Sequence, residues 1–464
     1  MAKQQHASGG SPLSLPPDHA EPDPAYRAVL DWVWSFSARP RSPDEIVGQR
    51  AVKLDRMRAL LAALDDPQRV FESLLVAGTK GKGSTVAMLA ACLHRGGLRT
   101  GRYTSPHLVN WRERTWVDGE PISPAEVLAL ADRLRGAVGR LPVELGQPTT
   151  FEVGTAFTLA HFAQRNVQVA VLECGVGGRY DATNVVEPLV SVITPISYDH
   201  TATLGSTLSS IANHKAGILR PRQPAVLGRQ PDEARQVVQR IARELHAPLD
   251  EIGREWRWSE KDGDDLIESR HSDAPPLRTH VGLLGAHQRD NAAAAVAALY
   301  WLRKARSDLA PSHEAVQAGL SSVQWPGRLQ VLSSNPLLIL DGAHNAFSAQ
   351  VLRDALRQGF RFERLLLVLG LSEGKDAHGV LSALAPRASR LYFTRSHHER
   401  SADPRMLAEL AYRDVPDAHP AVYDELVSAV QAAVRDARPG DAVLVTGSLF
   451  LVGEALVWWQ NSRR

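Results

Sequence analysis

The chain has 464 residues, enough for two or three domains of roughly 150 residues each. Hydrophobic residues make up 44% and charged residues 22%, an ordinary globular composition. Lys plus Arg (53) nearly balances Asp plus Glu (51), so the net charge of +2 leaves no electrostatic footprint for nucleic acid.

The chain opens on a Pro-, Ser- and Gly-rich stretch without the apolar core of a signal peptide, and residues 1 to about 23 read as a disordered leader. Two helical patterns follow, near Ala25–Ser37 and Gln49–Leu64. Ser73–Ala77 reads as a short buried strand. After it comes a Gly-rich turn, then a helix from about Lys82 to Arg95. Strand-like runs recur at Val167–Glu173 and Leu189–Thr194 with helical patterns between them, which argues for a mostly parallel sheet covered by helices. Residues 250–285 are polar and irregular, with Trp256 and Trp258 alternating, and predict short antiparallel strands at a domain edge. The longest apolar run, Ala292 to Leu302, is shorter than the roughly 20 residues that cross a bilayer, so a cytoplasmic protein without a membrane partner is expected.

A second α/β rhythm begins after Trp325-Pro326-Gly327, with strands predicted at Leu337–Leu340, Arg364–Leu369, Ser389–Thr394 and Asp441–Thr446. Gln324–Arg328 carries the Pro and Gly of a linker, which places the domain boundary near residue 324. The first domain then spans 24–323 and the second 324–464. Cys92 and Cys174 each follow an apolar segment and read as small buried residues. The Trp residues read as packing rather than as a base-stacking platform.

The strongest signal is Gly78-Thr79-Lys80-Gly81-Lys82-Gly83-Ser84-Thr85, between a strand and a helix, the setting a phosphate loop requires. Glycines let backbone N–H groups converge on phosphate oxygens, and the helix N-terminus adds orphan donors and partial positive charge. Lys82 supplies a compact charge for the β/γ-phosphates. Ser84 or Thr85 is placed to meet a metal or a phosphate. The spacing is not G-x-x-x-x-G-K-[ST]: Val76 stands where the first Gly would be, and Gly83 separates Lys82 from Ser84.

Further motifs follow in order: Thr104-Ser105-Pro106-His107-Leu108, Arg112-Glu113-Arg114, Thr150-Phe151-Glu152, and the run from Glu173 through Arg179 and Asp181 to Asn184. Asp199-His200, His214-Lys215-Ala216-Gly217, Gln288 to Asn291, Trp325 to Arg328, and Asp341-Gly342-Ala343-His344-Asn345 complete the series. In this order they resemble the folylpolyglutamate synthases and bifunctional dihydrofolate synthases of the Mur ligase superfamily, over about residues 45–452.

That resemblance implies an α/β fold: a P-loop ATPase domain with a mostly parallel sheet, plus a smaller Rossmann-like C-terminal domain, the active site lying in the cleft. It implies ATP and Mg²⁺ as cofactors, with K⁺ a further candidate, and Ser105, Glu173 and His200 as metal ligands. Lys215 corresponds to a lysine that is carbamylated in the superfamily. Asn291 and Arg328 would contact ATP, and Asp341 and His344 would meet ATP or glutamate. Phe151, Glu152, Arg179, Asp181 and Ser448 are candidate substrate contacts. Family members are commonly monomers.

The chemistry of the residues runs alongside. Attack of a carboxylate on the γ-phosphoryl group demands positioning and charge neutralisation, hence Lys82, Arg328 and Mg²⁺. Glu173 ends an apolar strand, where ligands collect in open α/β sheets. Mg²⁺ prefers carboxylate to imidazole, which makes Asp199 the chemical rival of His200. A carbamate on Lys215 requires a neutral amine and therefore a lowered pKa. Asp341 and His344, three apart, converge if the turn between them is helical.

The reading is an ATP-dependent ligase that joins L-glutamate to a folate, with dihydropteroate as a second acceptor. A cell-wall Mur ligase is the alternative, disfavoured because only about 70 residues precede the phosphate loop. A nucleotide switch is disfavoured because no NKxD sequence occurs.

Overall fold

The computed structural model describes residues 17–18, 21, 23–37, 43–414 and 420–463. Most of the expected leader lies outside them, but its end does not behave as a leader. Glu21 is buried and accepts hydrogen bonds from Asn110 (3.0 Å) and Arg112 (2.7 Å). Asp18 accepts one from the Trp111 amide (2.9 Å). These carboxylates are held by the 107–114 segment, so both belong to the folded part.

The first sheet has eight strands: β1 (Glu72–Ala77), β2 (Thr100–Tyr103), β3 (Thr115–Val117), β4 (Glu120–Pro121), β5 (Val169–Glu173), β6 (Val190–Ile193), β7 (Ala225–Leu227) and β8 (Leu249–Glu251). Their order is β4-β3-β2-β5-β1-β6-β7-β8. β2, β5, β1, β6, β7 and β8 run parallel, and β3 and β4 add an antiparallel edge. β1 reads Glu-Ser-Leu-Leu-Val-Ala because both of its faces are covered, as in a central parallel strand. Leu75 and Ala77 enter one apolar cluster and Leu74 and Val76 the other.

The irregular 250–285 region folds as an antiparallel ribbon, β9 (Trp256–Lys261), β10 (Asp264–Ser269) and β11 (Leu277–Thr279), as expected. It is fastened to the helix Ala286–Ala305: the Trp258 indole donates to Asp290 (2.8 Å), and Arg289 pairs with Asp265.

The second sheet has β12 (Gln330–Ser334), β13 (Leu337–Asp341), β14 (Leu365–Leu369), β15 (Arg390–Phe393), β16 (Ala421–Val422) and β17 (Ala442–Thr446). Their order is β12-β13-β17-β14-β15-β16, all parallel except β12. Two more apolar clusters lie on its two faces, with Ile339 in one and Leu338 and Leu340 in the other.

Predicted and observed elements agree closely at Lys82–Arg95, while the second helix starts earlier than expected, at Pro43. Both cysteines are buried and free. Among the described residues no helix is long and apolar enough to cross a membrane.

Candidate active site

β1 runs straight into Gly78, whose φ is +148°. A Cβ there would sit 1.9 Å from the Thr194 hydroxyl, so only glycine lets the chain turn past the end of β6. The amides of Thr79 and Lys80 both donate to the Pro195 carbonyl (2.9 and 3.2 Å). They fix the loop and are spent on that carbonyl. Gly81, at φ +87°, opens the helix, and the Thr85 amide closes its first turn on the Gly81 carbonyl (2.9 Å). Residues 82–84 are thereby left as the orphan donors of a helix N-terminus, where an anion is favoured. The Thr85 hydroxyl is committed to the same carbonyl (3.0 Å) and is buried, so of the two hydroxyls only Ser84 borders the cleft.

Glu173 lies beside Val76 in the register of β5 on β1, which brings it next to the loop. Its Oε1 is 3.8 Å from the Lys82 ammonium, and its Oε2 accepts from the Ser105 amide (3.1 Å). Burial raises its pKa, against the pull of Lys82. A desolvated carboxylate with one ammonium at long range calls for more positive charge. His200 stands at φ +51° with its side chain half exposed, and partial desolvation lowers its pKa. Glu173, Ser105 and His200 border the same cleft, and Glu173 brings to it the carboxylate that a hard divalent ion prefers. Among the described residues no three His, Cys, Asp or Glu side chains gather as a ready-made metal cage, so nucleotide oxygens and water would complete the shell.

Lys215 ends the helix Leu208–Lys215 and is buried, with its ammonium on the Gly78 carbonyl (2.6 Å). Burial, then the charge of Lys82, lowers its pKa to about 7. Asp199 is the hub of a cationic cluster: Lys80 lies at 3.2 Å, Lys375 at 3.5 Å and His344 at 3.9 Å. Burial pushes its pKa up, but the basic side chains around it, His344 and Lys80 first, outweigh that and hold it well below the usual carboxylate range. His344 has its pKa lowered by burial. Its Nδ1 is 2.9 Å from the Gly342 carbonyl and its Nε2 is 2.9 Å from Lys80 Nζ. The neutral tautomer that satisfies both donates from Nδ1 and accepts at Nε2.

Asp341 and His344 do not converge as a helical turn would make them. The Asp341 carboxylate is spent on the amides of Leu329 (2.9 Å) and Ala343 (2.9 Å), bracing the 327–343 turn. Both still border one cleft of about 420 Å³, together with residues 78–84, Ser105, Glu173, Lys215, Asn291 and Arg328. Asn291 is buried, donates to Gln288 (3.0 Å), and its Oδ1 would lie 2.6 Å from a Cβ on Gly81. The cleft also takes in Arg229, His287, Phe347 and Leu352, which the sequence did not single out.

Five expected substrate contacts fall outside this cleft. Glu152 is fully buried, capping its own helix at Thr149 and paired with Arg56 through both oxygens (3.0 and 2.9 Å). Asp181 binds the amides of Val176 and Thr183 (3.0 Å each) and shapes the Gly-rich turn. Arg179 packs on Gly217, and Phe151 packs on Gly175 and Tyr103. Ser448 is the buried N-cap residue of the helix Leu449–Asn461. Each occupies a position that shapes a loop or helix start near the cleft.

Comparison with known proteins agrees with this geometry. Residues 76–299 match the Mur ligase middle domain, and residues 327–449 match the Mur ligase glutamate ligase domain. The dihydrofolate synthase/folylpolyglutamate synthase of Bacillus subtilis is 34% identical over 86% of this chain and 93% of its own. The chain belongs to the dihydrofolate synthase/folylpolyglutamate synthase family of Mur ligases.

The family's solved structures superpose along nearly the whole chain. Escherichia coli FolC in complex with DHPP and ADP has a TM-score of 0.83 and 31% identity, covering 97% of this chain and 100% of that one. The bifunctional enzyme of Yersinia pestis, complexed with AMPPNP and a Mn ion, has a TM-score of 0.81 and 32% identity, covering 94% and 98%. Members of this family thus bind an adenine nucleotide and a divalent metal, which the phosphate loop and Glu173 are suited to hold.

Proposed function

We propose that the protein couples L-glutamate to the carboxylate of a folate, and to that of dihydropteroate, at the expense of ATP. The observation that carries this reading is the juxtaposition of Lys82 and Glu173 at 3.8 Å, at the mouth of a cleft closed from the other side by Arg328 and His344. The acceptor carboxylate attacks the γ-phosphorus, and ADP leaves. The amine of glutamate then attacks the acyl phosphate, and phosphate leaves. Lys82, Arg328 and the orphan amides of residues 82–84 oppose the charge spread over the transferring group. A divalent ion at Glu173, Ser105 and His200 neutralises the nucleotide's phosphates when bound. Closure over the bound substrates excludes water, which would otherwise hydrolyse the acyl phosphate.

Lys215 is proposed as a carbamylation site: its lowered pKa supplies the neutral amine that adds CO₂ and releases a proton. The protein is proposed to work as a monomer in the cytoplasm, with K⁺ as a further cation and the 24–323 and 324–464 units as its two domains. ADP formation with dihydropteroate or tetrahydrofolate, each with and without glutamate, tests the reading. ADP release needing both an acceptor and glutamate supports it; release that ignores either one refutes it.

A further inference from the structure

Arg102 is a cation without a counterpart. It sits on β2, partly buried, and among the described residues its guanidinium makes no hydrogen bond and no ion pair; Nε is buried and unmatched. Two indoles flank it instead, Trp116 at 4.2 Å and Trp325 at 5.2 Å from the guanidinium carbon. Glu113, a carboxylate lining the same cavity as Arg102, has its oxygens on the amides of Leu108, Val109 and Asn110 (2.7, 2.8 and 2.7 Å). Burial pulls the pKa of Arg102 down to about 10, so it stays charged at neutral pH. A desolvated, unpaired guanidinium is costly, and a fork of N–H donors set against two rings is shaped for a carboxylate.

Arg102 opens into a cavity of about 80 Å³ that also touches Thr104, Gln324 and Trp325. Pro106, Arg328 and Leu449 border both this cavity and the nucleotide cleft, so the two are neighbours. An anion in it would lie next to the nucleotide cleft, across Pro106, Arg328 and Leu449. We propose that Arg102, clamped between Trp116 and Trp325, is a specificity residue that binds an α-carboxylate of the glutamyl tail of an acceptor folate. Dihydropteroate has no such carboxylate. Arg102 would therefore favour glutamylated acceptors over dihydropteroate.

This rests on the folate-ligase reading above. The test compares kcat and KM of the wild-type enzyme and Arg102→Gln with tetrahydrofolate mono- and diglutamate and with dihydropteroate. The expected result is a KM rise of about tenfold or more for at least one glutamylated acceptor, with its kcat within about twofold. The kcat/KM ratio of that acceptor to dihydropteroate falls accordingly. An equal change for all acceptors, or no change, overturns the proposal. Should Arg102→Gln fail to fold, Arg102→Lys, which keeps the charge and loses the fork, is judged by the same ratio. A wild-type enzyme that uses dihydropteroate alone overturns the proposal and leaves the ligase reading standing. One that uses no acceptor overturns the ligase reading itself.

Discussion

The Lys80 ammonium lies 2.9 Å from His344 Nε2, joining the phosphate loop of the first sheet to the turn after β13 of the second. The pair spans 264 residues of sequence. Asp199 lies within reach of both and also meets Lys375, so one carboxylate gathers three basic side chains from both halves of the chain.

His344→Ala removes one of the two partners of Lys80, leaving Asp199, and one of the contacts across the cleft. KM for ATP or glutamate is expected to rise about tenfold, the cost of one charge-assisted hydrogen bond, with the melting temperature within a few degrees of wild type. Steady-state kinetics beside a thermal melt decides this. A large loss of stability with unchanged KM would make the contact structural instead.

Lys82→Ala takes away the ammonium nearest Glu173 and the γ-phosphate position. Loss of a group that opposes transition-state charge costs on the order of 10²–10³ in kcat. Far-UV circular dichroism of the variant should match wild type. Near-normal turnover would remove Lys82 from the mechanism.

Glu173→Gln removes the negative charge of the proposed metal position while keeping its shape. The Mg²⁺ concentration for half-maximal activity should rise at least tenfold, since carboxylate is the preferred protein ligand. A superimposable magnesium titration would contradict the assignment.

Lys215 predicts a pH dependence with a definite sign. With a pKa near 7, its neutral form is scarce at pH 6 and dominant at pH 8. After exhaustive removal of CO₂, reactivation at equal dissolved CO₂ should therefore run about tenfold faster at pH 8 than at pH 6, following the fraction of neutral amine. Reactivation at the same rate at both pH values, or activity indifferent to CO₂, would rule the carbamate out.

Arg56→Ala leaves Glu152 charged and unpaired in the interior. Breaking a buried pair costs about 3–5 kcal/mol. The melting temperature should fall by several degrees, while activity well below the melt stays close to wild type. A specific rise in KM for the acceptor, with no loss of stability, would return Glu152 to the substrate site.

The phosphate loop was legible in the sequence because its three requirements are local: a strand, glycines that permit positive φ, and a helix start. Glu173, Asn291 and Arg328 came with the run of motifs, and all three border the cleft. Glu152 and Asp181, expected as substrate contacts, hold capping hydrogen bonds to the amides of Thr149 and Thr183, while Ser448 stands at a helix start without a side-chain cap. Thr, Ser, Asp and Glu at helix starts serve equally as caps and as ligands, and burial decides between them. Lys375 and Arg102 carried no signal. Lys375 acquires its meaning from Asp199, 176 residues away. Arg102 acquires its meaning from two indoles brought together by the first sheet and the linker.

The acyl phosphate is the centre of this account, and oxygen transfer tests it most directly. An acceptor labelled with ¹⁸O in both carboxylate oxygens should give, in the complete reaction with ATP and glutamate, inorganic phosphate carrying one ¹⁸O and an amide retaining the other. Phosphate free of label, formed in step with product, would mean that the carboxylate never attacks the γ-phosphorus.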